Sequence, residues 1–346
     1  MRAFAYQRAT DASAAVQALA TAAIDNNPLT ESPIQPLAGG TTLIDLMKLN
    51  VMRPSTVIDI NPLASSWSEI NLEGGNLRLG ALARMSDVAD DRELQYNYPV
   101  VADALKLAAS PQLRNMATLG GNIMQRPRCW YFRSSDFDCK KKNGASDDCH
   151  AHTGENQYHA IMNNSTCAMV HPSSTAVPLL AMNAQVELTS KRGKRTVAMS
   201  DFYVAPENSL INETVVQPGE LITSVFVPAP EPGTRSAYQK YGEKESFDWP
   251  LADVGVVLVM EGTHCRRAWI ALGVAAPTPI RSAAAEAVLT GKTIDEATAR
   301  AAASAAMQGA TPLSQNGFKT QLFQTAIYRT VLLAAGQMQR DPSAIG

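Results

Sequence analysis

The chain has 346 residues, 45% of them hydrophobic and 18% charged, enough for two or three domains with cores of their own. A formal net charge of −2 gives no electrostatic reason to expect nucleic acid or an anionic membrane surface as a partner. No apolar run approaches a membrane span, and Met1 to Arg8 lacks the apolar stretch of a secretory signal, so the expected folding compartment is the cytoplasm.

Phe4 and Tyr6 predict a short strand. An amphipathic helix follows to Ala23, with Asp11 or Ser13 as N-cap and Val16, Leu19 and Ala20 on its buried face. Asn26 to Pro36 reads as turn. Leu37 then ends a strand, Gly39 and Gly40 form a turn, and a helix starts before Lys48; Val57 to Ile60 is a strand closed by Asn61-Pro62. The first sixty or so residues therefore make a β-α-β-α-β unit. Asn71 to Leu82 predicts a hairpin turning at Gly74-Gly75-Asn76, and Met85 to Asp91 and Val100 to Ala109 predict helices. Further on come a helix at Ala176 to Ala181, a strand at Gln185 to Thr189 with a basic turn at Lys191 to Lys194, and a strand within Gly219 to Pro228. Pro228 to Gly233 marks a domain boundary. Beyond it, strands at Ser236 to Lys240, Val254 to Met260 and Cys265 to Gly273 precede helices that include Thr293 to Met307 and Phe318 to Met338. Strands followed by helices are an α+β signature.

Gly39-Gly40-Thr41-Thr42 sits where a strand passes into a helix. Backbone N–H groups at such a turn can ring an anion, glycines permit close approach, and a diphosphate is the natural guest. A tight connection alone would also use glycine, which tolerates positive φ. No G-x-G-x-x-G or Walker sequence occurs, so a Rossmann or P-loop site is not supported. Thr118-Leu119-Gly120-Gly121-Asn122 repeats the arrangement about eighty residues later, after Gln112, Arg114 and Asn115. The two turns either clasp a dinucleotide or are unrelated.

Four of the five cysteines, Cys129, Cys139, Cys149 and Cys167, fall in the polar segment that follows, at spacings of ten, ten and eighteen residues. A zinc knuckle spacing and a ferredoxin spacing are both absent, so spacing leaves zinc, an iron–sulfur cluster and a pair of disulfides open. Arg126, Arg128, Arg133 and Lys140 to Lys142 would offset the charge of a four-thiolate centre or form a solvated face. Cys265 stands apart as a buried strand residue.

Leu37 to Lys48 and Gln112 to Asn122 resemble two motifs of the FAD-binding medium subunits of the xanthine dehydrogenase and molybdenum hydroxylase family, and the likeness continues through Gly219 to Pro228 and Ser236 to Ser246. It implies a two-part FAD domain of the vanillyl-alcohol-oxidase type over 1–61 and 62–230, then a C-terminal α+β domain over 231–346 like that of CO dehydrogenase flavoproteins. It sets the FAD diphosphate against Leu37, Ala38, Gly39, Gly40, Thr41, Thr42, Leu43 and Ile44, with further contacts from Thr118, Gly121 and Asn122. Ile222 matches an aliphatic residue packed on the flavin ring, Lys240 a lysine near the flavin, and Ser174 stands where relatives carry an aspartate. Gln125 to Phe132 and the later cysteines resemble the insertion, here about 123–170, of medium subunits of periplasmic aldehyde oxidoreductases. That likeness implies a 4Fe-4S cluster on Cys129, Cys139, Cys149 and Cys167, and possible co-export with a partner bearing a twin-arginine signal.

No Ser-His-Asp set, metalloprotease motif or carboxylate pair is present, so the chemistry belongs to cofactors. The implied role is electron transfer through FAD, fed by a large molybdenum-cofactor subunit and a small 2Fe-2S subunit in a heterotrimer or its dimer. A stand-alone flavin oxidase and a zinc-stabilised, non-catalytic assembly subunit are the competing expectations.

Overall fold

The computed structural model describes residues 1–21, 31–143, 148–244 and 246–339. The chain divides into two compact units, each assembled from three separate segments. The first gathers Met1–Met85, Gln112–His150 and Asn183–Pro228; the second gathers Ser86–Pro111, Ala151–Met182 and Ala229–Gly346.

In the first unit, β1 (Ala5–Arg8), β2 (Ile34–Leu37) and β3 (Thr56–Asp59) form a parallel sheet in the order β1-β3-β2. Parallel pairing requires crossovers, supplied here by helices Ala12–Thr21 and Leu43–Lys48. Of the two expected N-caps, Asp11 takes the role: the Ala14 N–H donates to its Oδ1 at 2.8 Å. Ala15, Val16 and Leu19 are the buried face, with Ala20 only partly covered. The turn expected up to Pro36 stops earlier, since Pro36 lies inside β2. An edge strand tolerates a residue without an N–H, and β2 is at the edge. Asn26 to Thr30 of that turn, and the end of the helix expected to reach Ala23, lie outside the described residues.

The second sheet of this unit joins β4 (Ile70–Glu73), β5 (Asn76–Gly80), β6 (Gln185–Ser190), β7 (Gly193–Ala198) and β8 (Leu221–Val227) in the order β4-β5-β8-β6-β7, all antiparallel. The expected hairpin turns at Gly74 and Gly75, both at positive φ. Val16, Leu19, Ile58, Ile60, Trp67, Leu82 and Leu221 form one buried cluster, which ties helix Ala12–Thr21 and β3 to β8.

The second unit is built on β9 (Thr234–Tyr241), β10 (Ala252–Glu261), β11 (His264–Gly273), β12 (Ile280–Arg281) and β13 (Lys292–Thr293). β9, β10, β11 and β12 pair antiparallel in that order, and β13 adds to β11. Every residue of β10 but Glu261 is buried, because both faces are covered. Val254, Val256 and Leu258 pack into a cluster with Phe323, Ile327 and Val331 of helix Phe318–Ala334. On the other face, a Cβ at Gly255 would touch Val177 and Val100. Helix Glu296–Ala306 starts three residues later than expected because Asp295 closes a capping box with Thr298. A short helix missed in the sequence, Arg92–Asn97, is capped by Asp91, whose Oδ1 accepts from Leu94 N–H at 3.0 Å. Cys265 is buried in β11 as expected. The architecture is α+β. Among the described residues no helix is long and apolar enough to cross a membrane.

Candidate cofactor site

The two glycine turns meet inside the first unit. A Cβ at Gly39 would stand 1.9 Å from the Met116 carbonyl oxygen and 2.7 Å from its carbon, so backbone lies directly on backbone there. Gly40 has φ +74°, which keeps its place in the turn for glycine. The second turn is anchored from below: Gly120 N–H donates to Ala81 O at 2.8 Å, Leu119 N–H to Ala83 O at 2.9 Å, and Met85 N–H to Ala117 O at 2.9 Å. Thr118 caps helix Leu119–Ile123, its Oγ1 accepting from Gly121 N–H at 3.2 Å.

Both turns open on one cavity, which encloses about 1210 Å³ with the open solvent at its mouth included. Of the residues expected to hold the cofactor, Ala38, Gly39, Gly40, Thr41, Thr42, Leu43, Thr118, Gly121 and Ile222 line it. Leu37 and Ile44 stand behind Gly40, their Cδ1 atoms 3.1 and 2.8 Å from where its Cβ would be. Asn122 is buried, its Nδ2 3.4 Å from Met85 Sδ. Ser174 and Lys240 belong to the second unit. There Lys240 Nζ donates to Leu107 O at 3.0 Å and Asp248 O at 2.7 Å.

The cavity has a polar wall that the sequence did not reveal. Arg126, Asn212, Glu213, Thr214 and Glu220 all line it. Glu213 is buried against two cations: Arg126 Nη2 lies 3.2 Å and Lys141 Nζ 3.1 Å from its Oε1. Burial alone would raise this carboxyl, but the charges and hydrogen bonds of Arg126 and Lys141 outweigh it and hold it below the usual carboxylate range. Arg126 and Lys141, expected either to offset a cluster or to face solvent, are thus paired with a carboxylate. So are Arg128 and Arg133, both of which meet Asp45. Burial first, and the Arg133 charge second, bring the Arg128 guanidinium down to about 9.

The cysteines are all thiols. Cys129, Cys139 and Cys149 belong to the first unit and Cys167 to the second. Cys129 and Cys139 pack beside Leu46, Met52 and Phe132. Burial, with smaller contributions from Cys139 and Cys149, pushes the Cys129 thiol up to about 12. Among the described residues no group of three or more His, Cys, Asp and Glu side chains is arranged to hold a metal ion. The neighbouring histidines face backbone: His150 Nε2 is 2.6 Å from Asp138 O, and His152 Nε2 is 2.8 Å from Asn164 O.

The residues fit a flavin dinucleotide. Among the described residues, no backbone N–H from Gly39 to Thr42 donates to another backbone group. On the polar wall, Asn212 Oδ1 is buried without a hydrogen-bond partner. Donors on one side and an open acceptor on the other suit a ligand with both a diphosphate and hydroxyl or imide groups. For the four-cysteine set, the donor chemistry suits a metal centre but the described geometry does not converge on one.

Residues 2–230 match the FAD binding domain in molybdopterin dehydrogenase, and residues 236–334 match the CO dehydrogenase flavoprotein C-terminal domain. The chain therefore belongs to the family of FAD-binding medium subunits found in molybdenum hydroxylases. It is 35% identical over 303 residues to the aldehyde oxidoreductase FAD-binding subunit PaoB of Escherichia coli, covering 87% of this chain and 91% of that one. The carbon monoxide dehydrogenase medium chain of Hydrogenophaga pseudoflava is 30% identical over 302 residues, covering 87% and 85% of the two chains. A solved structure of carbon monoxide dehydrogenase from that organism superposes with a TM-score of 0.74 at 27% identity, covering 98% of this chain and 99% of the other.

Proposed function

We propose that this chain carries FAD as the electron-transfer subunit of a molybdenum-dependent hydroxylase or aldehyde oxidoreductase, beside a large molybdenum-cofactor subunit and a small 2Fe-2S subunit. The observation that carries this reading is the meeting of the two glycine turns on one cavity. FAD, when bound, supplies the exchange between two-electron and one-electron chemistry. The chain binds and orients it. Backbone donors of Gly39 to Thr42 and the Thr118 turn hold the diphosphate, with Leu37, Ala38, Leu43 and Ile44 shaping the turn and Asn122 bracing the second one. Ile222 offers the flavin ring an apolar surface that excludes water. Electrons enter from the partner subunits and leave to an external acceptor.

The same reading assigns Cys129, Cys139, Cys149 and Cys167 to a 4Fe-4S cluster. It is supported by four soft donors in one stretch of the sequence. The two-part FAD domain over 1–61 and 62–230 carries the cysteine-bearing insertion, ahead of the C-terminal domain over 231–346.

Anaerobic purification with the accompanying subunits, followed by flavin, iron and sulfide analysis, tests the reading. About one FAD per chain, and about four iron and four sulfide beyond the partners' share, are expected. Aldehyde should reduce the flavin in the complex and not in the isolated chain. Turnover by the isolated chain would replace this role with that of a stand-alone oxidase, and zinc without iron would remove the cluster.

A further inference from the structure

Three ionisable side chains from distant points of the first unit are sealed together at the cavity wall. Arg126 precedes the first cysteine of the polar segment, Lys141 lies between Cys139 and Cys149, and Glu213 comes from the loop before β8. Their exposures are 7%, 1% and 6%. Glu213 accepts from Arg126 Nε at 3.3 Å and Nη2 at 3.2 Å. Lys141 Nζ sits 3.1 Å from the same carboxylate and donates to Leu210 O at 2.8 Å. The Arg126 guanidinium carbon lies over the Phe132 ring, 4.8 Å from its centroid, a cation–π contact.

Two cations against one carboxylate leave one uncompensated positive charge at the cavity wall. A largely buried cation in excess of its carboxylate partner is poorly hydrated, so an anion entering the cavity would be met favourably there. The wall has the means to meet one. Arg126 and Glu213 both line the cavity, and Arg126 Nη1 donates to no described residue.

We propose that the Arg126–Glu213–Lys141 triad is the anion-facing wall of the FAD pocket. Arg126 meets an anionic part of the cofactor, and Lys141 is a positioning residue that leaves the wall positive by offsetting Glu213. This rests on the FAD reading above. It also makes the cysteine-bearing segment part of the cofactor site, because Lys141 is supplied by that segment. The anion is either the diphosphate or the flavin ring in its reduced, anionic form, and riboflavin, which lacks the diphosphate, separates the two.

The test uses the full-length chain with its accompanying subunits, stripped of flavin and titrated with FAD and with riboflavin by flavin fluorescence, in oxidised and reduced states. Arg126→Gln and Lys141→Met should each weaken FAD about tenfold. Loss confined to FAD assigns the anion to the diphosphate; loss shared with riboflavin only after reduction assigns it to the ring. Glu213→Gln raises the wall's net charge, so it should bind FAD at least as tightly as the parent, opposite in sign to the other two. A purely structural role would weaken all three alike, and that result overturns the proposal, as does FAD affinity within about twofold of the parent in Arg126→Gln and Lys141→Met. Should Lys141→Met fail to fold, Lys141→Arg with parental affinity and Glu213→Gln without loss support the proposal, and weaker binding by Glu213→Gln overturns it. A parent complex that never binds FAD defeats the cofactor reading itself; FAD bound by a parent with indifferent variants defeats only the triad.

Discussion

Gly39→Ala probes the junction of the two glycine turns with one added methyl group. That methyl would lie 1.9 Å from the Met116 carbonyl oxygen, a backbone atom with no rotamer to retreat into. Ordinary contact begins near 3.4 Å, so the turns must part by about 1.5 Å. Overpacking of this kind costs about 1–3 kcal/mol. For a unit of this size that is a fall in Tm of about 3–10 °C. The larger effect should be on the cofactor, because the separation moves the amides of Gly39 and Gly40 away from the Thr118 turn. Loss of one or two hydrogen bonds to FAD corresponds to about tenfold in affinity. Thermal unfolding and flavin titration of the purified complex measure both. Gly121→Ala is the internal control: its Cβ would meet only Thr118 Oγ1, at 3.0 Å, and it should cost clearly less. Parental FAD affinity and a Tm within about 1 °C of the parent in Gly39→Ala would refute the reasoning.

Three further outcomes are expected. Cys139→Ser should remove the iron and sulfide assigned to this chain while leaving FAD bound; unchanged iron would take Cys139 out of the ligand set. Asp253 is 1% exposed and hydrogen-bonded by Tyr238 at 2.8 Å, and burial raises its carboxyl to about 7. Between about pH 4, the ordinary aspartate value, and pH 7 the native chain then holds a proton that the unfolded chain releases, so this group's contribution to stability falls as pH rises through that window. Urea unfolding at both ends of the window should show a flatter pH dependence in Asp253→Asn, and an unchanged slope would refute the assignment. Asp295→Ala breaks the capping box of helix Glu296–Ala306 and should cost about 1 kcal/mol without altering flavin affinity, read by thermal unfolding and flavin titration.

Local punctuation explains what could be read from sequence. Gly39-Gly40 and Gly74-Gly75 mark turns because positive φ is cheap only for glycine, and Gly40, Gly74 and Gly75 do adopt it. β10 was visible because covering both faces leaves an unbroken apolar run from Val254 to Met260. Pairings over long separations were not visible. The insertion of β8 between β5 and β6 depends on packing that no short window contains. The Arg126–Glu213 pair spans 87 residues of sequence, and nothing near Glu213 distinguishes it from an ordinary surface glutamate. Helix Arg92–Asn97 was missed because six residues are too few for periodicity to emerge; its only local sign was Asp91 as cap. The cysteine spacings likewise say which ligand atoms are present, while their convergence depends on the path of the intervening chain.

The threading of the chain through its two units bears on biosynthesis. Val100, Val101, Ala104 and Leu105 of helix Pro99–Lys106 are fully buried, and the sheet of their unit begins only at Thr234. During translation these residues leave the ribosome long before the strands that will cover them. The second unit therefore closes only after the final third of the chain has emerged, and its early helices are natural clients for a chaperone until then. The junction between the two matched family regions, at residues 231–235, looks like a place to cut. Cleavage there would separate those helices from their sheet, so neither fragment should fold as a faithful copy of its half.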